Sequence, residues 1–225
     1  MSRETPVWIK ERGPVGYAEA ISRMDDSALD IRQNGAAETI WLLEHPPLYT
    51  AGTSANENDL IAPEFPVHQT GRGGQYTYHG PGQRIAYVML DLQKRGADVR
   101  AYVDNLESWI IAALTDFGIR GERRTGRVGI WVDMTRHGKP MGTEAKIAAI
   151  GVRIKKWVTM HGLAINVCPD LSHFGGIVPC GIRGHGVTSL ADLGCDASIA
   201  DIDASLQKHF DAIFTQHTEK ARSHG

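Results

Sequence analysis

Cysteine is scarce in this chain: Cys168, Cys180 and Cys195 are three thiols among 225 residues. An odd count without an export signal points to free thiols in a reducing compartment, so the expected location is cytoplasmic. The polar opening, Met1 to Pro6, has no apolar run behind it and does not read as a signal peptide. No stretch approaches the ~18 apolar residues that cross a bilayer, so no membrane partner is expected. An excess of one charge is also missing. The formal net charge is −2 with neutral histidines, and nothing marks nucleic acid as a partner.

Nucleotide and metal signatures are absent too. There is no GxxxxGK[ST]. The glycine-rich segment from Gly71 fails the dinucleotide fingerprint, because Tyr76 stands where its third glycine belongs. Pro179 and Cys180 match part of a zinc deaminase signature, but Arg183 replaces its second cysteine and no HxE stands upstream. HExxH does not occur, and the ten histidines show no strong metal-ligand spacing. Neither a metal nor a cofactor is expected.

What remains is an ordinary globular composition, 42% hydrophobic and 22% charged. No repeat, low-complexity tract or long linker divides the chain, so residues 1–225 read as one domain with a polar, frayed tail from about Thr218. Three helices are legible. Tyr17, Ile21, Met24, Ala28 and Ile31 recur at helical spacing, with Gly35 beyond. Val99 to Phe117 carries the longest stripe, with Asp98 as N-cap and Gly118 as stop. Ser198 and Asp201 form a shortened capping box before Ile202, Leu206, Phe210 and Ile213. Core packing accounts for all three stripes.

Short runs rich in β-formers lie between them, at 39–44, 84–90 and 128–132. The segments 145–154 and 158–167 read as a hairpin. With Lys155 and Lys156 as its two-residue turn, Ile150 faces His161 and Ala148 faces Leu163. Helices and strands alternate without a βαβ rhythm, so the expected class is α/β around a mixed, largely antiparallel sheet flanked by helices.

Three segments stand out chemically. Arg72 to Gln83 combines flexible glycines, a cation and aromatic walls, a loop able to wrap an extended ligand; a plain glycine-rich turn has the same composition. Lys146 heads an almost wholly apolar run to Gly151. Burial disfavours a charged lysine and makes it a usable base, whereas a strand-edge lysine would snorkel to water. Cys180 sits between proline and glycine in a glycine-rich loop that exposes a side chain, although a lone cysteine is more often a small buried hydrophobe.

Together these segments resemble the lipoyl(octanoyl) transferase family, also called lipoate-protein ligase B. Its motif RGGxxT[FY]HGPGQ is matched from Arg72 to Gln83, with Tyr87 following. Its KIAAIGVRI-like strand is matched from Lys146 to Ile154, and its HGxAxN element from His161 to Asn166. Its PCGI loop is matched from Pro179 to Ile182, with Thr188, Ser189 and Leu190 after it. The likeness spans roughly residues 38–193. The segment from Tyr49 to Leu60 looks individual, and Gly129 stands where the family often has proline.

The resemblance implies the fold of biotin and lipoate protein ligases. It also implies octanoyl transfer from octanoyl-acyl carrier protein to a lysine of an acceptor, the first step of protein lipoylation. The implied acceptors are lipoyl domains of 2-oxoacid dehydrogenase complexes and the glycine cleavage H protein. By the same match Cys180 is the nucleophile and Lys146 its acid/base partner. The implied acyl site comprises Arg72, Gly73, Gly74, Gln75, Tyr76, Thr77, Tyr78 and His79, with Ala149, Ile150 and Gly151 and with Gly162, Leu163 and Ala164 on the facing strand. An ATP-dependent lipoate or biotin ligase of the same fold needs no cysteine, and the PCGI loop favours the transferase. A non-catalytic acyl-binding module would not need both Cys180 and Lys146.

Overall fold

The computed structural model describes residues 5–178 and 185–222. Helix α1 (Tyr17–Gln33) follows strand β1 (Val7–Pro14). Strands β2 (Thr39–Glu44), β3 (Leu48–Ala51), β4 (Val67–Gln69), β5 (Tyr76–His79) and β6 (Gln83–Met89) come next. Helix α2 (Val99–Thr115) leads to β7 (Glu122–Arg124), β8 (Arg127–Asp133), β9 (Glu144–Lys155) and β10 (Val158–Asn166). The short β11 (Gly186–Val187) precedes helix α3 (Ile199–Arg222). Asp98 caps α2 as expected, its carboxylate accepting from the amides of Arg100 and Ala101. Ser198 and Asp201 exchange the reciprocal bonds of a cap before α3.

Among the described residues, eight strands form one sheet in the order β1-β2-β6-β10-β9-β8-β7, with β11 added beside β9. The β1–β2 and β11–β9 pairs are parallel and the remaining pairs antiparallel, so the sheet is mixed and largely antiparallel. Side chains alternate across it. Ile40, Leu42, Ala86 and Val88 join α2 and α3 in one core, where Trp109 and Phe210 meet edge to face. Trp41, Leu43, Ile85 and Met89 join Met24, Ala28 and Ile31 of α1 in a second. A small separate sheet, β4-β3-β5, packs Tyr49, Tyr76 and Tyr78 against Phe174. No helix among the described residues is long and apolar enough to cross a membrane.

The hairpin differs from expectation in register. Lys155 pairs with Val158, so Lys156 and Trp157 form the turn. Both have positive φ, 50° and 70°, as a hairpin turn matched to strand twist requires. Ile150 therefore faces Leu163, not His161, and Ala148 faces Ile165, not Leu163. The shift is two residues, so every side chain keeps its face. Contacts outside the hairpin set it: the amide of Leu92 donates to the Trp157 carbonyl, and Leu90 exchanges bonds with Thr159. No Asn-Gly or Asp-Gly marks the turn in the sequence.

Candidate active site

The register that the structure adopts pairs the two predicted stretches residue for residue: Ala149 with Ala164, Ile150 with Leu163 and Gly151 with Gly162. Above them lies a cavity of about 370 Å³, roofed by the loop and strand that begin at Arg72. All six paired residues line it, as do Arg72, Gly74, Gln75, Tyr76, Thr77 and His79. Gly73 and Tyr78 do not. Gly73 donates its amide to the Val152 carbonyl. Tyr78 points the other way along β5, and its hydroxyl meets His173 Nδ1 at 2.8 Å.

Arg72 is buried and its guanidinium is engaged by the loop itself. It donates to the carbonyls of Thr50, Gln75 and Gly73 and to the Thr50 hydroxyl. These bonds fold the glycine-rich segment around a cation, so the loop has a fixed shape.

Lys146 lies at the cavity wall, only 6% exposed. Its Nζ donates to the Val128 carbonyl at 2.9 Å and lies 4.8 Å from the centre of the Trp131 ring. Arg127 covers the same ring at 4.6 Å and pairs with Glu144 at 2.6 Å. The ammonium thus sits in a largely apolar place that nevertheless offers it a carbonyl and an aromatic face. Cys180 lies outside the described residues. The segment just after it returns beside the lysine: Val187 pairs with Lys146, and the Thr188 amide donates to the Lys146 carbonyl. Cys168 is exposed and Cys195 half-buried, and neither lines the cavity.

A chain of buried amides ties the motif segments together. Asn166 donates to the Thr188 carbonyl, Gln83 donates to Asn166 Oδ1, and Gln83 Oε1 stands 3.2 Å from His79 Nδ1. Gln83 spends its other amide proton on the Tyr78 carbonyl, so His79 must be the donor and its Nε2 the acceptor. His45 is fixed likewise: Nδ1 donates to the Val15 carbonyl at 2.6 Å, and Nε2 takes the Tyr87 hydroxyl proton at 2.7 Å. Burial holds these rings neutral. It lowers His45 to about 4 and His161, which also faces Arg72, to about 3, and it lowers His79 well below the usual range.

Several lining residues escaped the sequence reading. Tyr17 passed as one more member of the α1 stripe. Ile85 and Tyr87 share a face of β6 with period two, a signal that would have marked both once either was placed. His161 was seen within a motif but not as a wall residue. It holds φ +59° in mid-strand, and its amide donates to the sulfur of Met24. Among the described residues, no group of three or more His, Cys, Asp or Glu could hold a metal ion.

The chain is similar to known proteins in sequence and in fold. Residues 17–211 match the lipoyl protein ligase A/B catalytic domain model. An octanoyltransferase of Paramagnetospirillum magneticum is 62% identical over 92% of this chain and 96% of its own length. One of a Jannaschia species is 61% identical over 92% of this chain and 98% of its own. Among solved structures, a lipoate-protein ligase A with bound ATP superposes with a TM-score of 0.71 at 15% identity, over 94% of this chain and 86% of that one. At that identity the likeness concerns the fold alone.

Proposed function

This chain belongs to the lipoyl protein ligase A/B catalytic family, and we propose how its residues perform the octanoyl transfer that its octanoyltransferase relatives identify as its activity. The chain is an acyltransferase of protein lipoylation. The finer reading is that the acyl donor is octanoyl-acyl carrier protein, that the acceptor is a lysine of a lipoyl domain, and that the acyl group passes through Cys180.

In this reading the Cys180 thiolate attacks the carrier thioester. The sulfur–acyl bond forms, the carrier's carbon–sulfur bond breaks, and the carrier leaves as its thiol. An ordinary thiol titrates at about 8.5, and a neighbouring ammonium favours the thiolate. Acylation removes the thiolate charge, so the Lys146 ammonium loses that partner and gives its proton to the departing carrier sulfur. It then takes the proton of the attacking amine as the amide forms and Cys180 leaves as thiolate. The octanoyl chain lies between the paired strands and the Arg72 loop. Its six or so methylenes contribute roughly 5 kcal/mol of gross burial at ~0.8 kcal/mol each. Each methylene discriminates weakly, so cavity depth must set chain length.

The observation that carries this reading is Lys146, buried at the wall of an acyl-sized cavity and bonded to a carbonyl rather than exposed at a strand edge. The test is intact-mass analysis after incubation with octanoyl-carrier thioester. The expected result is one octanoyl group added to the protein, absent from Cys180→Ala and discharged by a lipoyl domain. Acceptor octanoylation by Cys180→Ala at the normal rate would overturn the covalent route.

A further inference from the structure

The Val128 carbonyl that receives Lys146 Nζ belongs to the same peptide unit as the amide of Gly129. That amide donates, on the other side, to Oε1 of Glu107 at 3.4 Å. Glu107 is buried on α2, among the residues that pack the back of the sheet, and its second oxygen meets Arg123 at 2.9 Å. One peptide plane therefore spans a buried carboxylate and the buried ammonium of the cavity. We propose that Glu107 is a positioning residue for acyl transfer, which fixes and polarises the Val128–Gly129 peptide so that its oxygen holds Lys146. The inference rests on the reading of Lys146 as the proton carrier.

Local geometry supports it. Gly129 has φ +114°, beside an irregularity in the β8–β9 ladder between Ile130 and Trp131. An L side chain is strained there. A Cβ would also stand 2.7 Å from the Ala148 carbonyl oxygen and 3.2 Å from Lys146 Nζ. Glycine lets the peptide turn edge-on to the sheet, with its oxygen toward the cavity and its N–H toward α2. A proline there would have no N–H and would leave Glu107 unlinked.

Energetics point the same way. A carboxylate among apolar side chains is costly unless hydrogen-bonded or paired, and Glu107 is both. Hydrogen bonds in series polarise one another in a low-dielectric interior. The carboxylate pulls on the Gly129 proton and makes the Val128 oxygen a stronger acceptor for Lys146 Nζ. Its field acts on the ammonium in the same sense.

Glu107→Gln tests the link, since it keeps the shape and an oxygen for Gly129 but removes the charge. The expected kcat for octanoyl transfer falls about tenfold, the equivalent of ~1.4 kcal/mol, while KM for the acyl donor is unchanged. The alkaline limb of the rate profile moves to lower pH, because the Val128 oxygen holds the Lys146 Nζ less firmly. Arg123→Met removes the competing cation and should move that limb to higher pH. A folded Glu107→Gln with wild-type kcat and an unmoved limb overturns the proposal. If thermal melting shows that Glu107→Gln does not fold, Arg123→Met decides, and an unmoved limb in that variant overturns it. Lys146→Ala, run in parallel, separates the two levels. Full activity there overturns the transfer mechanism and this inference together, whereas an inactive Lys146→Ala beside an unaffected Glu107→Gln removes only the inference.

Discussion

Gly151 lies directly across the hairpin from Gly162, and neither has room for a side chain. A Cβ at Gly162 would run into the backbone oxygen of Ala86 on the neighbouring strand and stand 3.3 Å from Val88 Cγ2. A Cβ at Gly151 would stand 2.9 Å from the side-chain Cδ of Arg72 and 3.3 Å from the Gly73 carbonyl oxygen. The two alanine variants should therefore differ. Gly162→Ala strains a rigid ladder and is expected to cost about 1–3 kcal/mol in denaturant unfolding. Gly151→Ala should cost less stability but displace Arg72 and the loop it holds, raising KM for the acyl donor. Equal stability losses with unchanged KM in both would contradict this assignment.

Cys180→Ser should abolish transfer while the fold survives, because a serine hydroxyl is a far weaker nucleophile at neutral pH. Cys168→Ser and Cys195→Ser should keep activity, consistent with their positions away from the cavity. Acyl transfer assays on the three variants check this. Loss of chemistry in a folded Cys168→Ser or Cys195→Ser would mean that the reacting thiol is another one.

Lys146→Arg should be nearly as damaging as Lys146→Ala, for which a loss of about 10²–10⁴-fold is expected of a general acid–base group. Arginine keeps the charge but does not deprotonate in proteins. It can favour a thiolate and cannot accept the amine proton. Mass analysis of Lys146→Arg should then find acyl-enzyme that accumulates and fails to discharge. Wild-type turnover by this variant would leave Lys146 an electrostatic role only.

Much of this was legible from residue order, for identifiable reasons. The α1 and α2 stripes are long and strongly periodic, and Asp98 does what a cap residue does. The sheet's mixed, largely antiparallel character followed from helices and strands that alternate without a βαβ rhythm. The hairpin turn was displaced by one residue because Lys156 and Trp157 are unusual at positive φ, so only tertiary contacts to Leu90 and Leu92 mark it. The small sheet of β3, β4 and β5 went unread because its strands are three or four residues long, below any readable period. Glu107 was invisible for another reason. A glutamate within an amphipathic helix reads as solvated unless the cation and amide that bury it are known.

Acid should destabilise the fold earlier than carboxylate protonation alone would explain. In the unfolded chain a histidine titrates near 6.5, whereas burial holds His45 at about 4 and His161 at about 3. Between these values the unfolded state binds protons that the folded state refuses, so stability rises with pH and falls as pH drops below about 6.5. Each such histidine contributes a slope of up to ~1.4 kcal/mol per pH unit in that window. His79 acts in the same direction. Denaturant unfolding at a series of pH values checks this, and stability that stays flat between about pH 6.5 and pH 5 would contradict it.

The last expectation concerns docking of the donor. An acidic carrier protein needs a basic surface, and the chain offers two clusters of arginine and lysine, at 120–127 and at 153–156. The structure neutralises the first: Arg120 pairs with Glu122, Arg123 with Glu107, and Arg124 and Arg127 with Glu144. The second, at the hairpin tip, holds Arg153, Lys155 and Lys156, and among the described residues Lys155 alone of the three has an ion pair, which crosses to Asp25 of α1 at 2.6 Å. This tip continues the two strands that line the cavity, so a carrier held there would sit on the same hairpin as the proposed acyl site. Complementary charge chiefly raises the encounter rate and is screened by salt. Reversing Lys155 and Lys156 to Glu should therefore raise KM for the carrier-bound donor, more at low ionic strength than at high. Reaction with a small octanoyl thioester should be unchanged, because that donor needs no docking surface. An equal loss with both donors would show that the hairpin shapes the site, and no loss with either would show that the tip is merely solvated.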